Sequence, residues 1–358
     1  MSRDSLLSVL SNDCKEVLKR ELWIFGAGMT ARLYINGLKR LEKDGLYIKG
    51  YIDNNPDKWG GEFDGKEIVS LNSLMDKKED VFILICSYYS NVINQIKKQL
   101  GENGFSFAGI DEIIFGLHRD DVLKVYDMLS DEESKGIYQK LIEKRVHGDD
   151  SDLPTANSEQ YFGVNRFISN NPNEVFVDCG SYVGDTIERY IWRNEGVFGK
   201  IIAFEPDPHN ITAMKYRIDR LSKEWGFDID KISIFEKGVA DVNRKASVDR
   251  SDINNGFSSN LSLSDEDEGE DIVALDNVIN YPISYLKADI ESWEYYMLLG
   301  AEEIIKKYTP KIAVCIYHNA VDFYEIALLI KKIVPNYNIS IRHHSTTLCE
   351  TVLYAWVD

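Results

Sequence analysis

The sequence is short of basic residues. Lys and Arg number 41 against 59 Asp and Glu, a formal net charge of -18 over 358 residues. Proteins that grip a phosphate backbone or an anionic membrane cluster Lys and Arg, so neither nucleic acid nor a membrane surface is an expected partner. No stretch reaches the roughly 20 continuous apolar residues that span a bilayer. Residues 1–20 lack an apolar core followed by a small-residue cleavage site. No membrane insertion is expected, and the cytoplasm is the expected location. The five cysteines, Cys14, Cys86, Cys179, Cys315 and Cys349, form no C-x-x-C pair, which argues against a zinc knuckle or redox motif. Cys86, Cys179 and Cys315 fall in apolar runs and read as buried, reduced thiols. With 8 prolines and 24 glycines the chain is neither collagen-like nor dominated by linkers.

What is present is ordinary globular composition, 44% hydrophobic and 28% charged, at a length that suggests about two domains. Residues 1–21 carry Leu6, Leu7, Leu10, Val17 and Leu18 at helical spacing. Strands are expected at 22–25, 48–52 and 81–86, with a helix bearing Leu33, Tyr34, Leu38 and Leu41 between the first two. This alternation implies a parallel sheet and a Rossmann-like α/β domain over residues 1–116. Residues 117–172 read as a helical connector, in which Ser130 and Glu133 have the spacing of a capping box.

A second and clearer α/β domain is expected over 173–358. Apolar strands fall at 175–178, 200–205, 232–236, 285–289 and 311–317, separated by helical segments. The end differs. Strands at 338–342 and 351–357 are joined by too short a loop for a crossover, so they must pair antiparallel. Five parallel strands and a C-terminal hairpin match the seven-stranded sheet of class I methyltransferases. Residues 250–271, rich in Ser, Asn, Asp and Glu, read as a solvated loop or as a lid over a site.

Val177-Asp178-Cys179-Gly180-Ser181-Tyr182-Val183-Gly184-Asp185-Thr186 sits between an apolar strand and a helix. Gly180 and Gly184 let backbone approach a ligand closely, at a spacing unlike the three-glycine dinucleotide turn. The next strand ends in Phe204-Glu205-Pro206-Asp207, where a carboxylate can accept both hydrogen bonds of a ribose diol. Together these suit an adenosine-bearing ligand without a pyrophosphate, held by Asp178, Gly180, Tyr182, Gly184, Thr186, Glu205 and Pro206. Gly238 and Val239, at the exit of the third strand, would touch the adenine, with Asp241 offered to its exocyclic amine.

These motifs, with Leu275-Asp276, Lys287-Ala288-Asp289-Ile290-Glu291, Leu299-Gly300-Ala301 and Ile316-Tyr317-His318, resemble the FkbM family of S-adenosylmethionine-dependent methyltransferases from about residue 127 onward. The resemblance implies S-adenosylmethionine as cofactor and O-methyl transfer, often to a sugar or polyketide hydroxyl. The family's D-x-E-G-x-E pattern reads Asp289-Ile290-Glu291-Ser292-Trp293-Glu294 here, so the local backbone is expected to differ. Tyr161-Phe162 resembles an aromatic pair of the family, which packs over the cofactor or into the core.

Strand alternation puts Lys287, Asp289 and Glu291 on one face. Asp289 is expected to orient the methionine part or take the acceptor proton. Glu291 would do the same or help hold a divalent cation, and Lys287 with Glu291 also reads as a structural ion pair. His318 follows the fifth strand, and an imidazole that titrates near neutrality suits a general base. The catalytic candidates are therefore Asp289, Glu291, His318 and Lys287. His343 and His344 face opposite sides of the last hairpin. No ligand spacing such as H-E-x-x-H appears, which leaves a divalent metal open.

In the first domain Gly26-Ala27-Gly28-Met29-Thr30-Ala31 is a degenerate version of the dinucleotide turn, and Asp53 ends the next strand. With Gly50-Tyr51-Ile52-Asp53-Asn54 it resembles the nucleotide-sugar-binding domains of certain sugar acyltransferases. That resemblance implies a nucleotide-sugar held by Gly26, Gly28 and Asp53; a scaffold or oligomerising role is the alternative, and the oligomeric state stays open. The leading expectation is methylation of a sugar hydroxyl, the sugar carried on a nucleotide. The alternatives are a methyltransferase for a polyketide, peptide or amine with a structural first domain, and a non-catalytic nucleotide-sugar-binding or assembly module.

Overall fold

Alternating strands and helices build one main sheet in each half of the chain, as the hydrophobic pattern requires. The computed structural model describes residues 3–10, 14–249, 260–263 and 269–358. The chain divides into two compact units.

The first unit comprises Met1–Ala156 with Tyr317–Glu325 and Ser345–Thr351. Its strands are β1 (Glu21–Phe25), β2 (Ile48–Ile52), β3 (Glu62–Phe63), β4 (Lys66–Val69), β5 (Val81–Ile85) and β6 (Ser106–Gly109). They lie in the order β3-β4-β2-β1-β5-β6. All neighbours run parallel except β3, which turns back on β4. Trp23, Phe25, Ile83 and Ile85 pack under helix Ser90–Glu102 through Ile93, Ile96 and Leu100. The expected N-terminal helix is shorter: Arg3–Val9 is helical and Cys14–Lys19 forms a 3-10 turn.

Helix Glu132–His147 starts one residue later than the sequence suggested. The Asp131 carboxylate, not the Ser130 hydroxyl, accepts the Ser134 amide at 2.7 Å. Asp131 has the extended backbone of a capping residue, and its charge suits the positive end of the helix. Two buried arginines bring the later segments into this unit. Arg145 donates to the carbonyls of Tyr317 (2.5 Å) and Leu348 (3.2 Å). Arg40 pairs with Asp322 (2.7 Å) and Glu325 (2.6 Å).

The second unit comprises Asn157–Ile316, Ile326–His344 and Val352–Asp358. Its strands are β7 (Val175–Cys179), β8 (Lys200–Phe204), β9 (Ile232–Phe235), β10 (Gly238–Val239), β11 (Arg244–Asp249), β12 (Asn260–Leu263), β13 (Glu270–Val273), β14 (Tyr285–Ala288), β15 (Lys311–Cys315), β16 (Asn338–His343) and β17 (Thr351–Trp356). The main sheet has the order β16-β17-β15-β14-β7-β8-β9. The five strands from β15 to β9 are parallel and β17 runs antiparallel to β15, so the expected seven-stranded fold is present. Strands β7, β8, β14 and β15 are buried almost throughout, as befits a parallel sheet covered on both faces.

A second sheet, in the order β10-β13-β11-β12, was not legible in the sequence. Its strands are short, and β11 and β12 read as polar. Part of the expected loop over 250–271 therefore enters a ladder, with β12 antiparallel to β11. Residues 250–259 and 264–268, on which the lid reading falls, lie outside the described residues. No helix among the described residues is long and apolar enough to cross a membrane.

Candidate functional site: a cleft at the carboxyl edge of the second sheet

The turn after β7 is sewn to the strands on either side. The amides of Gly180 and Ser181 both donate to the Phe204 carbonyl of β8 at 3.0 Å. The Asp289 amide, after β14, donates to Cys179 at 3.1 Å. Gly180 has φ +76, and a Cβ there would stand 1.9 Å from the Asp289 carbonyl oxygen. Only glycine fits. Tyr182 is also left-handed (φ 46), and its amide donates to Glu205 Oε2 at 2.9 Å.

Glu205 is 5% exposed. Its other oxygen accepts from the Asp207 amide (3.0 Å) and Asn210 Nδ2 (3.1 Å). Burial pushes its carboxyl above the usual range, against the pull of those three donors. Beyond β9 the chain turns into β10, which brings Gly238 and Val239 to the same edge.

These elements enclose a cleft of about 510 Å³, open solvent included, lined by Gly180, Tyr182, Phe204, Glu205, Pro206, Asn210, Lys237, Gly238, Val239, Asp289, Ile290 and Glu291. Of the residues expected to bind an adenosine-bearing ligand, Gly180, Tyr182, Glu205, Pro206, Gly238, Val239 and Asp289 are gathered here. Phe204, Asn210, Lys237 and Ile290 were missed. Asn210 sits one helical turn past the Pro206-Asp207 cap of helix Pro208–Trp225, and that spacing was the available signal.

The structure places several other expected residues away from the cleft lining. Asp178 does not line the cleft: it is fully buried, and its Oδ1 lies 2.9 Å from Lys287 Nζ. Lys287 is likewise withdrawn, its ammonium also donating to the Gly180 carbonyl at 2.8 Å. Burial acts to lower its pKa, but Asp178 and Asp289 outweigh burial and hold it charged. The expected Lys287–Glu291 pair is replaced by Lys287–Asp178. Alternation ends before Glu291, because β14 stops at Ala288 and Glu291 and Ser292 adopt φ 54 and 75. Glu291 reaches the cleft wall through this turn, which Glu294 closes by accepting the Ile290 amide at 2.8 Å. Gly184 (φ +80) shapes the entry into helix Asp185–Arg193, and Thr186 is buried in its first turn; neither lines the cleft. Asp241 is not a lining residue either; its carboxylate lies 3.7 Å from Arg244.

Other expected residues do not line the cleft. Tyr161 is buried and donates its hydroxyl to Asp289 Oδ2 at 2.7 Å. Phe162 is a core residue against Tyr190 and Tyr285. His318 belongs to the first unit, is fully buried, and packs at a tilt on Tyr317 with ring centroids 4.1 Å apart. His343 is fully buried, and its carbonyl accepts the Asn157 amide at 2.7 Å. His344 is held by the Asn157 carbonyl at Nδ1 (2.7 Å) and the Tyr354 hydroxyl at Nε2 (2.9 Å). Burial pushes its imidazole down to about 4, against the Asn157 bond. Cys86, Cys179 and Cys315 are buried.

In the first unit the Gly26–Gly28 turn follows β1. The Asp53 carboxylate accepts the Ala27 amide (3.1 Å), the Lys58 ammonium (2.8 Å) and the Asn55 amide (2.9 Å). Lys58 also donates to the Ala27 carbonyl at 2.7 Å. Asp53 therefore ties the turn after β1 to the loop after β2.

Comparison with known proteins follows this division. A comparison with curated proteins finds no match. The fold is shared with a methyltransferase FkbM from Methylobacillus flagellatus KT, at 18% identity and TM-score 0.59 over 99% of this chain and 98% of that one. An rRNA methylase from Streptococcus thermophilus (13% identity, TM-score 0.33) covers 52% of this chain and 89% of its own. A putative methyltransferase from Streptococcus mutans in complex with SAH (11%, 0.31) covers 52% and 90%. Residues 18–109 match the family model described as C2185-like, N-terminal, and residues 178–337, which carry the cleft, match that of the methyltransferase FkbM domain.

Proposed function

We propose that the protein is an S-adenosylmethionine-dependent O-methyltransferase acting on a sugar hydroxyl, the sugar being linked to a nucleotide. The observation that carries the cofactor reading is the pairing, in one cleft, of the Gly180 turn with the buried Glu205 carboxylate. The residues present fit the group. Gly180 lets the turn lie against the Asp289 carbonyl, which a Cβ would displace, Glu205 presents acceptors for a ribose diol, and Val239 offers an apolar wall to a base. Asp289 and Glu291 supply negative charge on the side suited to a sulfonium cation, in keeping with the acidic chain. S-adenosylmethionine, when bound, supplies an electrophilic methyl group.

The chain's own contribution is position and charge. Fixing both reactants replaces an encounter in solution with an aligned approach. Asp289, on the cleft wall, is the candidate to orient the methionine part or to take the acceptor proton. His318 remains a candidate base on sequence grounds. Lys287 is reassigned from catalysis to support, because its ammonium is spent on Asp178 and Gly180.

The sugar half of the reading rests on the glycine turn of the first unit, which would hold a nucleotide's phosphates on helix amides. One observation favours a second reading, in which that unit is structural and the acceptor is a polyketide, peptide or amine. Asp53, the candidate ribose acid, is already paired with the Lys58 ammonium at 2.8 Å, whereas the three donors to Glu205 are neutral amides. Incubation with labelled cofactor and a panel of nucleotide-sugars tests the assignment. Label on a sugar supports it; transfer only to non-sugar acceptors overturns the sugar assignment.

A further inference from the structure

Within the methyl-transfer reading, we propose that Tyr161 is a positioning residue that sets the carboxylate of Asp289 against the cleft. Three alternate residues of one strand and its extension grip this side chain. The Tyr285 hydroxyl donates to the Tyr161 carbonyl at 2.6 Å. The Lys287 ammonium lies 5.0 Å from the centre of the Tyr161 ring. Asp289 Oδ2 accepts the Tyr161 hydroxyl at 2.7 Å. Residues two apart on a strand share a face, so β14 and its continuation hold Tyr161 by its backbone, its ring and its hydroxyl in turn.

The direction of the last bond is fixed as well. Gln160 Nε2 donates to the Tyr161 oxygen at 3.1 Å, so the phenol accepts from the amide and gives its single proton to the carboxylate. Tyr161 also has φ 68, a backbone conformation that a bulky residue adopts at a cost. The Tyr285 bond, with the Phe162 amide on the Glu159 carbonyl at 2.8 Å, sustains it. Such strain is expected where the placement of one side chain matters.

A carboxylate on a turn can rotate. One tethered at Oδ2, with its amide pinned to Cys179, presents a single orientation to the cleft. Lys287 supports the ring of Tyr161 from the sheet side, and Asp178 keeps Lys287 charged. The chain of contacts from Asp178 through Lys287 and Tyr161 to Asp289 therefore runs from the sheet interior to the cleft wall.

Tyr161→Phe removes the hydroxyl and keeps the ring. Binding of S-adenosylmethionine and S-adenosylhomocysteine is measured by calorimetry at pH 7 for the parent protein, Tyr161→Phe, Asp289→Asn and the double variant. The proposal expects Tyr161→Phe to weaken S-adenosylmethionine about tenfold. It expects the double variant to bind no more weakly than Asp289→Asn alone, since Tyr161 acts only through Asp289. Parent-like affinity in Tyr161→Phe, or effects that multiply in the double variant, overturn it. If the parent protein binds neither ligand, the cofactor reading fails by itself. The same four proteins unfolded in urea then decide the contact: non-additive destabilisation supports the Tyr161–Asp289 bond, and additive effects overturn it.

Discussion

Lys287 Nζ lies 2.9 Å from Asp178 Oδ1, with both side chains buried, and the two residues are direct partners in the β14–β7 register. The motif aspartate that looks from sequence like a ligand contact is thus part of the sheet interior. It fixes the lysine whose ammonium also holds the Gly180 carbonyl, so it shapes the glycine turn from below.

Replacing Asp178 by Ala strands a buried ammonium. Breaking a buried pair from one side costs about 3–5 kcal/mol. Urea denaturation should show a loss of that order, and weaker cofactor binding should accompany it. Unchanged stability together with lost binding would return Asp178 to the ligand contacts.

Glycine substitutions should separate the two turns. Gly180→Ala meets the Asp289 carbonyl at 1.9 Å with φ +76 and must displace the turn, at a cost of at least about 1–3 kcal/mol and with loss of S-adenosylhomocysteine binding. Gly28→Ala has no atom within 4 Å of its new Cβ and no positive φ, so the unfolding midpoint should hardly move. If Gly28→Ala nonetheless abolishes binding of nucleotide-sugars, the phosphate-cradle reading of the first unit gains direct support; unchanged binding of a nucleotide-sugar that the parent holds would count against close approach there.

His344 predicts a pH dependence. Its folded-state value of about 4 lies below the ordinary histidine value of about 6.5. The unfolded chain therefore takes up the proton first. This contribution to stability is complete above pH about 6.5 and is lost as the pH falls toward 4. Urea midpoints at pH 7 and pH 5 should differ more for the parent than for His344→Gln. Equal differences would show that burial does not hold His344 neutral.

Much of this was legible because it depends on short-range pattern. Continuous apolar runs marked the central strands, and the missing crossover after residue 342 marked the antiparallel end. Gly180 and Glu205 could be read because close approach and diol recognition demand those residue types at strand ends. What was not legible depends on long-range geometry. Asp178 and Lys287 are 109 positions apart in the numbering, and nothing local says that they meet in the interior instead of facing a ligand. Alternation extrapolated to Glu291 failed because two left-handed residues follow the strand. The sheet from β10 to β13 was hidden because its strands are short and β11 and β12 carry polar residues. Tyr161 was visible as an aromatic but not as a tether, since its partner lies 128 residues away.

The central claim is that the cleft holds the adenosine part of the methyl donor through Glu205. Titration of S-adenosylhomocysteine into the parent protein and into Glu205→Ala tests it most directly. The account predicts one site per chain in the parent and an affinity at least about tenfold lower in the variant, the loss of about 1.4 kcal/mol expected for a severed hydrogen bond to a charged group. Equal affinity in the two proteins, or no binding to the parent, would contradict it.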